Sequence, residues 1–500
     1  MKHFKIAALL LLAAQPVFSK NYGKRKGGKA QVYSFLTQSD KVVANTLGSS
    51  DNTKKNYTVV LNLDVNQLAA DPQSVGIQPN GTAQSDQNNP LFKTEVATEF
   101  VKQHLNNVTS DALSANPSAN TINADDLNIN VIGNFVSYSG ELGDETVQQL
   151  QDMSDVGYIQ QDGTITLDDK IDPVVYDTSV FFNQTSLKSS DIQNHTTIQF
   201  RPRQTQGGIY QRYAPWSLSR LSSRADSQNI YPYGPGFHLP EGNDGAGVVV
   251  YIMDTGVSIN HREFEGRASY GKNYVQEVDD DTNGHGTAVA SLVAGKTFGV
   301  AKKARIISYK VSDQSGSGVV ANFISALSDI TNDISTATDG RIASIVVCSS
   351  TVGSINLPFN AAVEALTDFG IAYVAPAGNN KKDGCRVSPV SSKFAIVVGS
   401  TNSLDGYSPV TNYGTCVDLY APGVSVLAAS NLGPNINAVV DGTSFAAPLV
   451  AGIAAVDLSN NPNLTPQQIK QNLLDYSIKN ILTSTLPNSV NALAQVPDSF

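Results

Sequence analysis

A chain of 500 residues that is 41% hydrophobic and 16% charged has enough apolar material for two or more globular units with real cores, which excludes a disordered protein. Its formal charge of −10 at pH 7 excludes the dense basic face of a nucleic-acid binder. With only Cys348, Cys385 and Cys416 available, at most one intrachain disulfide forms, and stability must rest mainly on packing.

The chain starts MKHFKIAALLLLAAQPVFSK, with Lys2 and Lys5 ahead of an apolar run from Ile6 to Ala14, then Val17 and Ser19 spaced like a small-residue cleavage site. Residues 1–19 therefore read as a secretory signal peptide. No later segment is apolar over the roughly 18 residues that a membrane span needs, so a protein without a span is expected in the secretory pathway or outside the cell. Six Asn-x-Ser/Thr acceptors, at Asn56, Asn80, Asn107, Asn183, Asn194 and Asn463, fit that route.

Residues 20–56 are rich in Gly, Lys and Ser, and little structure is expected there; GKRKGGK reads equally as a dibasic processing site or a solvated spacer. From Tyr57 the periodicity changes. YTVVLNLDV predicts a strand, FKTEVATEFVKQHLNNV an amphipathic helix, NINVIGNFVSYSGEL a strand pair, DETVQQLQDMSDV a second helix and GYIQQDGTITL one closing strand. Residues 57–170 thus form a small α+β unit. Residues 171–211 lack clear periodicity and read as an exposed connector.

Over 212–480 unbroken apolar strands (GVVVYIMD, RIISYKV, SIVVCSS, IAYVAPAG, FAIVVGS) alternate with small-residue helices (TAVASLVAG, NFISALSDI, NAAVEALTDF and the segment opening at Ser444). Strands apolar on both faces need cover on both sides, so this is an α/β domain with a doubly wound, mostly parallel sheet, its ligands beyond the carboxyl ends of the strands. Residues 481–500 are left as a C-terminal tail.

Three polar residues interrupt this apolar background. Asp254 ends VVVYIMD, where a carboxylate on the strand-end rim needs a partner; a turn cap or salt bridge would explain it alone. His285 lies between glycines at a helix start in NGHGTAVASLVAG, a setting no other histidine of the chain shares. Ser444 stands at the mouth of the buried helix FAAPLVAGIAAV, where a serine is ordinarily an N-cap, with Gly442 before it and Pro448 tolerated in the first helical turn. Amides at that mouth can hold an anion.

A serine nucleophile needs a base and a carboxylate that orients the base, and the three residues occur in the order Asp, His, Ser. DTGV, GHGT and GTSFAAP together resemble the subtilisin-type serine proteases, over roughly residues 212–480. HREFEGRA and APWSLSRLSSR narrow the resemblance to the proteinase K-like branch, especially fungal enzymes similar to cerevisin. The resemblance implies that Asp254 orients the imidazole, His285 acts as base and then acid, Ser444 attacks the scissile carbonyl, and Asn379 in APAGNN supplies the oxyanion-hole amide.

It further implies peptide binding by strand addition along Ser315, Gly316, Ser317 and Gly318, and along Ser350, Thr351, Val352 and Gly353, where the usual Ser-Leu-Gly-Gly is altered and the branched Val352 is expected to narrow the pocket. Ala288, after GHGT, and Phe445, after the serine, also depart from the family pattern without removing a catalytic atom. Cys385 and Cys416 resemble a disulfide pair of that branch, leaving Cys348 as a buried free thiol. Asp418 matches a position that binds calcium in some relatives, so no cofactor is required and calcium is admitted.

The unit at 57–170 resembles the inhibitor propeptide of the family, which docks on the protease and passes its tail through the active site. Activation would be a cut between Asp169 and Tyr213. The expectation is a monomeric serine endopeptidase acting on polypeptides, made as an inhibited zymogen and destined for vacuole, wall or medium. A wall or spore-coat scaffold that keeps the fold without the activity is the alternative, motivated by the altered Ser350–Gly353 segment and the sequons.

Overall fold

A computed structural model of the chain describes residues 31–33, 54–70, 73, 89–115, 122–167, 169, 171–172, 203–205, 208–224, 233–234, 236–240 and 242–499. The signal segment and the sequons at Asn80, Asn183 and Asn194 lie outside these residues; Asn56, Asn107 and Asn463 are exposed.

The N-terminal unit runs β1 (Gln31–Tyr33), β2 (Lys55–Leu61), α1 (Val65–Ala70), α2 (Pro90–Ala115), β3 (Asn128–Ile132), β4 (Phe135–Leu142), α3 (Asp144–Asp152) and β5 (Val156–Gln161). Its sheet is ordered β1-β5-β2-β4-β3, with β1 parallel to β5 and the other pairs antiparallel. Strand side chains alternate between faces. One face sends Tyr57, Val59, Val136 and Tyr138 into a core with Val101 and Leu105 of α2 and Val147 and Leu150 of α3. The other sends Val60, Ile132 and Phe135 into a core of the C-terminal domain.

Two expectations for this unit are corrected. Structure begins earlier than residue 57, since β1 lies inside the supposed spacer. The closing strand is two strands: β5 stops at Gln161, and after the Asp162-Gly163 turn, β6 (Thr164–Thr166) leaves the sheet. The turn is fixed from outside, because Ala321 N–H donates to the Asp162 carboxylate at 3.1 Å and Val320 N–H to Gly163 O at 2.9 Å.

Between the units come β7 (Ile171–Asp172), β8 (Arg203–Thr205), β9 (Gly208–Arg212), α4 (Trp216–Leu221) and β10 (Gly236–Leu239). The stretch 171–211, expected without regular structure, therefore carries short strands at both ends.

The C-terminal domain continues with β11 (Val248–Asp254), β12 (Ala268–Asn273), α5 (His285–Ala294), β13 (Arg305–Lys310), β14 (Ser317–Val319), α6 (Val320–Thr336), β15 (Ala343–Cys348), α7 (Leu357–Asp368) and β16 (Ala372–Pro376). It ends with β17 (Ile396–Thr401), β18 (Leu419–Pro422), β19 (Val426–Ala429), β20 (Asn437–Val440), α8 (Thr443–Asn460), α9 (Pro466–Tyr476), β21 (Ile478–Lys479) and β22 (Ala492–Leu493). Nine strands form one sheet, ordered β12-β13-β11-β15-β16-β17-β18-β22-β21, parallel except for the last pair.

Every residue of β11 is buried. Val248, Val250 and Ile252 pack in the core under α5 and α8, whereas Val249, Tyr251 and Met253 pack in the opposite core under α6 and α7. That division explains why the strand has no polar face. Strand β11 lies between β13 and β15, so the winding direction reverses there and a crevice opens beyond its carboxyl end. Asp254 is its last residue.

The boundary at 480 is also corrected. Strand β22 joins the main sheet, Ala494 N–H bonds Tyr420 O at 2.8 Å and Val496 N–H bonds Leu221 O at 2.8 Å, so the residues read as a tail complete the domain.

Candidate active site

Asp254 and His285 meet at the switch point. Asp254 is 1% exposed, and its Oδ1 faces His285 Nδ1 at 2.8 Å while accepting Thr255 N–H at 2.8 Å. Gly286 makes the approach fit: a Cβ there would overlap Gly256 O and press on the Asp254 side chain. A residue that sequence reasoning missed holds the two loops together. Buried Asp281 accepts Thr255 Oγ1–H at 2.9 Å, Gly284 N–H at 2.8 Å, Thr287 N–H at 2.9 Å and Thr287 Oγ1–H at 2.6 Å. Its signal was an acidic residue just before a helix start.

Ser444 is brought to the same rim by α8, which is buried from Thr443 to Ser459. Pro448 sits inside the helix and not in its first turn, correcting the expectation. A proline has no N–H, so the carbonyl four residues back, that of Ser444, loses its helical donor. The Ser349 hydroxyl replaces it at 3.0 Å, and Ser444 Oγ–H donates back to Ser349 O at 3.1 Å. The nucleophile candidate is thus held against the end of β15. The Phe445 ring lies 5.1 Å from the His285 ring, so the unusual residue after the serine packs on the imidazole.

Asn379 is held by its own oxygen, which accepts Thr443 N–H at 2.9 Å and Thr443 Oγ1–H at 3.0 Å. Its Nδ2 is thereby turned into the crevice, where it donates to the carboxylate of Asp169. The other Asp169 oxygen lies 3.0 Å from His285 Nε2. Both ring nitrogens of His285 therefore face carboxylates. Burial opposes charge on the ring, but the Asp254 carboxylate and the contacts with Asp169 outweigh it and push His285 up to about 10.

The backbone around Asp169 follows the crevice. Strand β6 pairs antiparallel with β14, matching Ser317 to Thr166 and Gly318 to Ile165, and Leu167 N–H bonds Gly316 O at 3.0 Å. Beyond Asp169, β7 pairs antiparallel with β20. Gly316, Ser317 and Gly318 thus lie along β6 and Leu167, whereas Ser315 bonds Asp313. In the segment 350–353, Val352 N–H is taken by Ser388 O at 2.7 Å, and its side chain is fully buried in the core. Val352 packs inward and does not project into a pocket.

Cys385 and Cys416 are disulfide-bonded, and Cys348 is a buried thiol that burial pushes up to about 12. Asp418 faces a cation of the chain's own. Lys470 Nζ lies 2.8 Å from its carboxylate and donates to Ala395 O at 2.8 Å and Lys393 O at 3.3 Å. Among the described residues no His, Cys, Asp and Glu side chains group as a metal site. The Lys470 ammonium meets the donors that calcium would need. Lys470→Met is expected to lower stability by about 1–3 kcal/mol, by leaving a shielded carboxylate unpaired. Thermal unfolding of the two chains checks this, and an unchanged unfolding temperature in Lys470→Met would overturn this role for Lys470.

Residues 245–493 match the model of the subtilase family of peptidases. Subtilisin-like protease 1 of Pseudogymnoascus destructans is 37% identical over 56% of this chain and 67% of its own. The cuticle-degrading protease of Metarhizium anisopliae is 36% identical over 56% of this chain and 70% of its own. Among solved structures, a cold-adapted subtilisin-like serine proteinase aligns with TM-score 0.51 and 33% identity, covering 57% of this chain and 98% of that one. With catalytic-domain resemblance of this extent on the fold just described, the chain belongs to the subtilase family and is a serine endopeptidase of the proteinase K-like kind.

Proposed function

We propose that the chain cleaves polypeptides through Ser444, His285 and Asp254, and that it is made as a secretory zymogen whose N-terminal unit, residues 57–170 with β1 added, is an intramolecular inhibitor. One observation carries the zymogen reading: β6, Asp169 and β7 lie along the crevice as a substrate would, with β6 paired to β14 on one side of the centre and β7 to β20 on the other. Released from this segment, Ser444 Oγ turns from Ser349 O to His285 Nε2. Its proton passes to the imidazole as Oγ bonds the substrate carbonyl carbon, and Asn379 Nδ2 donates to the oxygen that gains charge. The proton then goes to the leaving amine as the C–N bond breaks, and water repeats the cycle on the acyl-enzyme.

The processed protein is expected to react with a fluorophosphonate at the peptide containing Ser444, and the full-length chain to react far more slowly. Equal labelling of both forms would exclude the zymogen reading, and labelling elsewhere would exclude Ser444. A signal-like start and exposed sequons support a secretory route, with vacuole, wall or medium as destinations and a monomer as the working form.

A pH effect follows from His285. Its folded value, about 10, lies above the ordinary 6.5, so its stabilisation is complete below about 6.5 and is lost as pH rises through 10. In the full-length Ser444→Ala chain, which cannot cut itself, His285 is expected to contribute a loss of up to a few kcal/mol across that window, which buried Lys302, pushed down to about 7, opposes. Asp169→Asn in the same background should flatten the slope. The comparison cancels Asp162, pushed up to about 6 by burial at the interface. Identical slopes in the two chains would remove Asp169 from the linkage.

A further inference from the structure

Inhibition by a bound tail has two physical routes. The backbone can simply fill the crevice, or a particular group can disable the catalytic atoms. The Asp169 side chain is 2% exposed and divides its two oxygens between His285 Nε2 and Asn379 Nδ2. It occupies space that only a glycine leaves open: Gly442 has φ +145, and a Cβ there would overlap Asp169 Oδ1. The chain passes the centre between two paired strands, with Leu167 N–H on Gly316 O before it and Ile171 paired with Val440 after it.

We propose that the Asp169 carboxylate is the inhibitory group of the tail, a side-chain anion held in the catalytic centre that keeps His285 an imidazolium and occupies the Asn379 donor. The proposal rests on the zymogen reading. An imidazole with carboxylate oxygens at both nitrogens is satisfied only when both carry protons. Such a ring cannot accept the Ser444 proton. The Ser444 hydroxyl is instead turned to Ser349 O, so base and nucleophile are uncoupled together. The Asn379 amide, needed for charge that develops on a substrate oxygen, already faces a full negative charge. The centre is thus an anion site whose ligand class is a carboxylate on an extended peptide.

Asparagine at 169 has nearly the same size but carries no charge, and its amide can donate to a neutral His285. Full-length Asp169→Asn chain, sampled before any processing, is expected to react with a fluorophosphonate at least about tenfold faster than wild type. A second measurement avoids dependence on folding of the variant. The nonapeptide TITLDDKID, residues 164–172, is added to processed wild-type enzyme and compared with the same peptide carrying Asn for Asp169. The natural peptide should inhibit at least about tenfold more tightly. Equal labelling and equal inhibition, with an active processed enzyme, would overturn the proposal and leave inhibition to backbone occupancy. Failure of the processed wild-type enzyme to label or hydrolyse would instead overturn the underlying protease reading, and this proposal with it.

Discussion

Ser444→Ala is expected to abolish casein hydrolysis, with kcat reduced by about 10⁶, and to leave the expressed chain unprocessed. The magnitude is borrowed from triad removal in subtilisin itself, a member of the same family. The physical reason is that the neighbouring hydroxyls among the described residues are engaged elsewhere: Ser349 Oγ is committed to the Ser444 carbonyl, and Thr443 Oγ1 donates to Asn379. The fold should survive, because the change removes one hydrogen bond to Ser349 O, worth about 1 kcal/mol. Circular dichroism and thermal unfolding therefore check that inactivity is chemical. Retention of more than about a hundredth of wild-type activity, well above the borrowed magnitude, would dismiss Ser444 as nucleophile. Rescue of every phenotype of a deletion strain by the Ser444→Ala chain would revive the scaffold alternative.

The candidate rim was legible because it depends on features with a local signature. An apolar strand that ends in Asp254, a histidine beside the one glycine its helix packing demands, and a serine opening a helix of small residues are each visible in a dozen letters. Their convergence follows from doubly wound topology, which delivers strand ends to one crevice. What stayed hidden depends on partners distant in sequence. Asp281 looked like one acid among several until its donors from Thr255, Gly284 and Thr287 were in place. Lys470 is an ordinary helical lysine in sequence, and only the fold sets it on Asp418. GYIQQDGTITL read as one strand because alternation cannot reveal that β6 pairs with another domain. Val352 was expected to narrow a pocket and packs into the core instead, since its partner Ser388 comes from a segment distant in sequence.

Asn379 provides the second large effect, because it serves two ligands in turn. In the full-length chain Nδ2 donates to Asp169, and under the proposed zymogen reading processing frees it to meet the substrate oxygen. Asn379→Ala is expected to lower kcat by about 10² to 10³, or some 3–4 kcal/mol, a figure taken from the corresponding donor in subtilisin. KM should change little, because the donor acts mainly where negative charge develops in the transition state. The same variant should also hold the Asp169-bearing nonapeptide less tightly, since one of the two contacts on that carboxylate is gone. The outcome separates oxyanion stabilisation from simple shaping of the crevice. Simple shaping of the crevice would show as a raised KM with kcat little changed, whereas stability falls on either reading, as Thr443 N–H and Oγ1–H lose their acceptor. Asn379→Asp sharpens the contrast, for it keeps the acceptor that Thr443 needs while replacing the donor by a charge that repels both a substrate oxyanion and Asp169. If Asn379→Asp retained wild-type kcat, the amide nitrogen would have no part in stabilising the transition state.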